Sequence, residues 1–350
     1  MLRRFLFRLH LILGILLGLY AAAIGLTGSI LVYREELAAL EKPLLFQAVS
    51  EIRITPDEAL ATVQKANPGW RVLTLTGPEL ETGAWMAYLL NKGDAKQAYV
   101  DASSGVLRGD SQRKDGWLSP VEQLHFNLMS GRPGRLVNGY CALALVLLAL
   151  TGITLWRPQL SRLRWTARNL HVNLGLVSML FIVIMGITGG YFTWFQAYVN
   201  GVKMFLPARN QRALPTVDAT GPRKSLAQLA AAAQQAVPDA KVFRIQLGSG
   251  PKEAFKISMR HGKQAEFQLV SHVALNPYTL ELMRLERLEN RQSGDRLIGN
   301  FSAVHFGVWG GPLARVLWAI LGLSLPALFI TSFALWWRRL RQRGLAGLWN

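Results

Sequence analysis

Four runs of this chain are long, apolar and almost free of charge, and they leave few folds open. They cover Leu9–Tyr33, Leu136–Trp156, about Leu170–Tyr198 and Leu313–Trp337, with one charge, Arg315, near the start of the last. About 20 apolar residues suffice to cross a bilayer as a helix, so each run reads as a span. The first is too long for the apolar core of a signal peptide, and no convincing cleavage site follows it, so it reads as a retained helix.

The chain carries +18 net charge over 350 residues, and where the charges sit matters more than their sum. Arg3, Arg4 and Arg8 precede the first run, Arg157, Arg162, Arg164 and Arg168 lie between the second and third, and Arg338, Arg339, Arg341 and Arg343 follow the fourth. These clusters place both termini and the short middle loop in the cytoplasm. The expected layout is spans at 1–33, 135–156, 169–198 and 312–337, a cytoplasmic loop at 157–168 and a cytoplasmic tail at 338–350. Two long segments, 34–134 and 199–311, then lie outside. The basic charge thus belongs to membrane topology, and no nucleic-acid motif accompanies it. The single cysteine, Cys141, excludes an intramolecular disulfide and a C-x-x-C-H haem attachment.

Each outer segment has the pattern of a small α+β domain. In the first, Thr55-Pro56-Asp57-Glu58 reads as a capping box opening a helix that ends at Asn67-Pro68-Gly69. Strands are expected at Trp70–Thr76, Ala84–Leu90 and Gln97–Asp101. In the second, a helix over Ser225–Ala236 precedes strands near Lys241–Leu247, Ala254–Met259 and Glu266–Ala274.

The two halves repeat one another in the same direction. Arg8-Leu9-His10 matches Asn169-Leu170-His171, and further along Gly25-Leu26-Thr27-Gly28 matches Gly186-Ile187-Thr188-Gly189. Leu124-His125-Phe126 matches Val304-His305-Phe306, and Thr151-Gly152 matches Thr331-Ser332. The fold class expected is an α-helical membrane protein, a four-helix bundle built from a parallel repeat, with two outer α+β domains.

Of the six histidines, His10, His125, His171 and His305 fall at matching points of the two halves, beside the spans. A lone histidine at an interface is usually a packing residue, but an ionisable group at a span is expensive to keep and four in register point to a shared role. Two imidazoles at one depth can face each other across a flat ligand. Gly14 and Gly175, four residues after His10 and His171, remove bulk on the same helix face. The pairing predicts two non-covalent b-type haems, one held by His10 and His171, the other by His125 and His305. Arg135 and Arg315, at matching places, read equally as partners of haem propionates or as interfacial anchors. His261 and His272 have no counterparts and read as ordinary strand or surface residues. Zinc is the weaker rival, since no H-E-x-x-H is present.

The stretch Thr55–Leu60 leading to Ala98-Tyr99-Val100-Asp101-Ala102-Ser103-Ser104-Gly105 resembles a PepSY domain. The arrangement around Arg8-Leu9-His10, Gln123-Leu124-His125-Phe126, Leu170-His171 and Val304–Gly311 is similar to the PepSY-associated transmembrane family. That resemblance implies a bacterial inner membrane, periplasmic outer domains and a haem-containing reductase that releases iron from ferric siderophores. Two other functions stay open: a haem subunit serving a periplasmic protein, and a non-redox membrane protein binding a peptidase or other partner. No G-x-G-x-x-G follows a strand, so the electron donor is expected to be another protein, a quinol or a soluble cytoplasmic reductant.

Overall fold

The structure is a computed structural model and describes residues 1–79, 81–112, 115–156, 166–208, 213–262 and 270–343. In chain order it forms α1 (Leu2–Leu31), α2 (Arg34–Glu41), α3 (Pro56–Ala66), β1 (Arg71–Thr76), β2 (Ala84–Asn91), β3 (Asp94–Asp101) and β4 (Leu107–Gln112). Then follow α4 (Leu118–Asn127), α5 (Gly131–Leu155), α6 (Ala167–Thr193), α7 (Phe195–Lys203) and α8 (Leu226–Ala236). The chain continues through β5 (Lys241–Gln246), β6 (Phe255–Arg260), β7 (Val270–Leu275), β8 (Leu282–Glu286), α9 (Ser293–His305) and α10 (Gly311–Arg343). Most of the expected 157–168 loop, the start of the expected strand at Glu266 and the end of the tail lie outside the described residues.

Two compact units result. One is helical and comprises residues 1–34, 117–205 and 298 onward; the other comprises 35–116 and 206–297. In the helical unit, α1, α5, α6 and α10 are the helices long and apolar enough to cross a membrane among the described residues. Helix α1 packs on α5 and α10, and α6 packs on the same two. Glycines set the closest crossings. A Cβ at Gly25 would lie 2.5 Å from the Gly322 carbonyl oxygen, and one at Gly186 would lie 2.7 Å from that of Ala142. Small residues let backbones approach where lipid supplies no hydrophobic drive for helix association.

Helix ends and apolar runs do not coincide. Helix α1 starts at Leu2, within the expected 1–33 but ahead of its apolar run, so its arginines lie inside the helix, and α10 continues to Arg343, past the expected end at 337. The third span stops at Thr193 instead of running to Tyr198. Trp194 leaves the helical region (φ −118°, ψ 48°) and α7 starts afresh. The break lets Tyr191 gather Phe195, Tyr198 and Phe301 around it, with ring centroids 5.1–6.0 Å apart.

The second unit departs more from the sequence reading. Each outer segment contributes a helix that packs on the sheet, α3 or α8, and a four-stranded antiparallel meander, but the meanders do not form two sheets. They join through β1 and β5 into one eight-stranded sheet, in the order β4-β3-β2-β1-β5-β6-β7-β8. The strands β4 and β8, which the sequence reading missed, are the two edges. L-R-G-D-S-Q and L-M-R-L-E are short and charged, the composition that protects an edge from further pairing and also hides it from an apolar-alternation test.

One face of the sheet carries α3 and α8. Between them lies a single core in which Val63, Leu75, Leu89, Leu229, Ile257, Met259 and Val273 are fully buried. Both helices open with capping boxes, Thr55 with Glu58 and Ser225 with Gln228. The Asp57 carboxylate also crosses from α3 to accept the Leu226 and Ala227 amides at 2.7 and 2.9 Å. These amides have no partner within α8, and a carboxylate at a helix N-terminus suits the dipole. Asp57→Ala is expected to destabilise this unit by about 1 kcal/mol, read as a lower midpoint in thermal or urea unfolding.

At the turn after β3, Asp101 accepts the Ser103 and Ser104 amides and both Nε and Nη2 of Arg108. Burial pushes this carboxyl up, but the Ser104 amide, Arg108 and the other donors outweigh it and hold the pKa down at about 2. A depressed pKa gives stability that is full above the unfolded value near 3.8 and is lost as pH falls towards about 2. Asp101→Asn should therefore flatten the acid limb of stability against pH over that window.

Candidate functional site

The four repeat-related histidines form two pairs inside the helical unit. His10, from α1, faces His171, from α6, with ring centroids 6.4 Å apart and planes at 80°. His125, near the end of α4, faces His305, the last residue of α9, at 6.3 Å and 52°. The latter two thus sit on short helices of their own, ahead of the spans.

Each imidazole is held the same way. Nδ1 of His10 lies 3.0 Å from Oγ1 of Thr151, and Nδ1 of His171 lies 3.1 Å from that of Thr331. Nδ1 of His125 lies 3.0 Å from Oγ1 of Thr27, and Nδ1 of His305 lies 2.8 Å from that of Thr188. The hydroxyl protons decide the tautomer. Thr151 donates its proton to the Leu148 carbonyl, Thr331 to Ala327, Thr27 to Ala23 and Thr188 to Ile184, at 2.7–2.9 Å. A hydroxyl has one proton, so towards each ring it can only accept. All four histidines therefore carry the proton on Nδ1 and the lone pair on Nε2. A partner on the far ring nitrogen that fixes tautomer and orientation is the usual support of a metal-ligating imidazole.

The glycines after three of these threonines complete the seats. A Cβ at Gly28 would lie 3.0 Å from Cε1 of His125, one at Gly152 would lie 3.2 Å from that of His10, and one at Gly189 would lie 3.6 Å from that of His305. The threonine binds the ring nitrogen and the glycine lets the ring edge lie on the helix. The sequence showed these Thr-small pairs only as marks of the repeat. The signal for their role was available: seventeen residues separate His10 from Thr27, and seventeen separate His171 from Thr188. At about 1.5 Å of rise per residue, the two pairs lie about 25 Å apart along the helices, close to the thickness of a hydrocarbon core.

The carbonyls at the ends of the short helices are also satisfied. Asn138 Nδ2 donates to the His125 carbonyl at 2.7 Å, and Tyr20 donates to Asn138 Oδ1 at 2.5 Å. Trp318 Nε1 donates to the Val304 carbonyl at 2.7 Å. Arg135 donates to the Phe192 carbonyl at 2.5 Å, and Arg315 donates to the Val32 carbonyl at 2.8 Å while lying over the Tyr33 ring. Both arginines thus engage carbonyls at span ends, the habit of basic residues at helix C-termini.

The first pair opens onto a cavity of ≈1160 Å³. Gly14 and Gly175 line it, and a Cβ at Gly14 would meet nothing within 4 Å. Phe7, Trp156 and Trp336 supply aromatic walls, and Arg4, Arg168 and Arg339 supply positive charge. The volume exceeds the usual range of about 300–1,000 Å³ for a drug-sized ligand.

The residues fit a bis-imidazole metal centre. With metal–nitrogen bonds of about 2.0 Å and roughly 1.1 Å from nitrogen to ring centre, two imidazoles on opposite sides of one ion have centroids about 6.2 Å apart. The pairs stand at 6.4 and 6.3 Å. Among the described residues no three His, Cys, Asp or Glu side chains gather as a structural zinc site would require.

The model of the PepSY-associated TM region matches residues 7–339, a stretch that contains all four histidines and all four threonines. The chain belongs to this family. Among curated proteins none matches it. For this PepSY-associated membrane protein, the family assignment agrees with four apolar helices combined with an antiparallel sheet.

Proposed function

We propose that this protein is a transmembrane di-haem b reductase that carries electrons across the bacterial inner membrane to a ferric siderophore in the periplasm. The observation that supports it most is the pair of facing histidine couples, each imidazole tied at Nδ1 to a threonine of another helix. His10 and His171 would hold one haem, and His125 and His305 the other. Bound haem iron accepts and gives up single electrons. The chain's own part is to fix four neutral imidazoles with Nε2 lone pairs available and to set the two couples at opposite ends of the bundle. Gly14 and Gly175 leave room beside the first couple.

The arginine distribution supports cytoplasmic termini and, with them, a periplasmic sheet unit. The matching helix-plus-meander segments support a parallel repeat with two PepSY-like halves. In the overall reaction one electron converts ferric to ferrous iron, and the lower charge weakens its hold on hard oxygen ligands. The donor would be another protein, a quinol or a soluble cytoplasmic reductant.

The test is an optical spectrum of the detergent-purified protein, oxidised and then dithionite-reduced, with haem counted per chain. The reduced protein is then mixed anaerobically with a ferric siderophore. About two b-type haems, reoxidised by the chelate, is the expected result. Absence of haem after expression with ample haem supply sinks the proposal.

A further inference from the structure

Four side chains in the bundle recur with the histidines but are not the same residues in the two halves. Ten residues past His10 stands Tyr20, and ten past His171 stands Phe181. Thirteen residues past His125 stands Asn138, and thirteen past His305 stands Trp318. The two offsets meet in space. Tyr20 donates to Asn138 Oδ1 at 2.5 Å, and the Phe181 ring packs edge-on against Trp318, with centroids 5.5 Å apart at 86°. Each half thus carries one link from the middle of its first span to the outer part of its second.

Each link ends on the short helix that bears the outer histidine. Asn138 Nδ2 donates to the His125 carbonyl at 2.7 Å and reaches that of Phe126 at 3.4 Å. Trp318 Nε1 donates to the Val304 carbonyl at 2.7 Å. These carbonyls lie in the last turns of α4 and α9, where a helix leaves its acceptors without partners of its own. The two helix ends differ in how they turn. The Val304 carbonyl also accepts the Gly307 amide at 3.1 Å. Gly307 is left-handed (φ 71°), and a Cβ there would lie 3.0 Å from Cδ1 of Trp318, so glycine suits both the turn and the indole. After α4 the chain turns through Leu128 and Met129, also left-handed at φ 51° and 57°. That conformation is unfavourable for a residue with a side chain and persists only where its surroundings enforce it. Asn138 commits both ends of its amide to holding this end of α4.

We infer that Tyr20 with Asn138 and Phe181 with Trp318 are two repeat-equivalent braces that position the outer histidine couple, the polar brace bearing the larger share. They act through the ends of α4 and α9 and are positioning residues. The inference rests on the reading of His125 and His305 as a haem couple, and the inner couple serves as its control.

The test uses Tyr20→Phe, Asn138→Leu, their double variant and Trp318→Phe in the full-length protein in nanodiscs. Haem release is followed by capture with excess apomyoglobin, and midpoint potentials by optical titration. In Asn138→Leu the outer couple should release haem about tenfold faster, the scale of one buried carbonyl left unpaired, with the inner couple unchanged. The outer midpoint should rise, because a ring that drifts from Thr27 loses its Nδ1–H bond to oxygen; a general loosening of the bundle would not select one haem. Tyr20→Phe should act in the same direction and more weakly, since Asn138 keeps its bond to His125. The double variant should be no worse than Asn138→Leu alone, because the two side chains act in series. Trp318→Phe keeps a ring against Phe181 and leaves the Gly307 amide on Val304, so its effect should be smaller than that of Asn138→Leu. Hydrogen exchange over residues 118–127 of the haem-free chain reads the brace without the cofactor, and should quicken in Tyr20→Phe and in Asn138→Leu. Additive effects of these two changes, equal shifts at both couples, or unchanged exchange in α4 overturn the inference. If Asn138→Leu does not assemble, Tyr20→Phe decides by exchange and outer midpoint alone. A wild type without haem sinks the reductase reading, while quicker exchange in the variants would still uphold the braces; two haems with unchanged exchange sink the braces alone.

Discussion

His10→Ala and His125→Ala should each leave about one haem per chain where the wild type holds about two, and the double variant should hold none. The couples share no ligand, and about 25 Å of helix separates them, so loss of one should not spread to the other. The effect is large because a b-type haem would have no covalent tether, and the variant removes one of the two imidazoles that would hold its iron. Alanine also leaves the opposite imidazole and its threonine in place, so the backbone has little reason to move. The measurement is a pyridine haemochrome assay against protein concentration, with the reduced spectrum resolved into its two components. Two haems retained in both single variants would remove the histidines from the site. One haem retained in the wild type, and lost only with His10 or only with His125, would restrict the cofactor to one couple.

Much of this site could be read from the sequence because it is written twice. A histidine beside one span carries little information. The same histidine at the same offset in a second half carries a good deal, and that recurrence singled out the four side chains that pair in the structure. The spans were legible for a simpler reason: a run of 25 residues such as Leu9–Tyr33, with no Asp, Glu, Lys or Arg, has few places to go other than a bilayer. What escaped was non-local or inconspicuous. Thr76 and Arg244 pair across the joint between the meanders although 168 residues apart, and nothing in either strand alone announces that partner. The edge strands β4 and β8 escaped because protected edges lack the alternation that reveals a strand. The break at Trp194 escaped because the residues around it are apolar on both sides, and hydropathy does not register a change of backbone direction. The threonines were visible as repeat marks, but only the structure shows that each hydroxyl proton is committed to its own helix and that its oxygen is therefore turned to a ring nitrogen.

That last geometry supports the second prediction. Replacing Thr151 or Thr188 by valine keeps the shape of the side chain and removes the acceptor for Nδ1–H. The buried N–H of His305 then loses its threonine partner and the ring its fixed orientation, whereas His10 keeps the Leu148 carbonyl 3.2 Å from Nδ1, so the larger effect is expected at Thr188. Outer partners of this kind are worth about 10–100-fold in metal affinity, so haem should dissociate faster from the affected couple on dilution. A second readout separates this from a loosened helix contact. An Nδ1–H bond to oxygen makes imidazole more basic and favours ferric over ferrous iron, so Thr→Val should raise the midpoint potential of that haem. Thr151→Val should move only the haem of His10 and His171, and Thr188→Val only that of His125 and His305. Thr→Ser at either position keeps the acceptor and should restore the wild-type potential despite the lost methyl group. A potential that moves equally with serine and valine would mean that the methyl packing matters and the hydrogen bond does not. The tautomer assigned to all four histidines would then lose its chemical consequence.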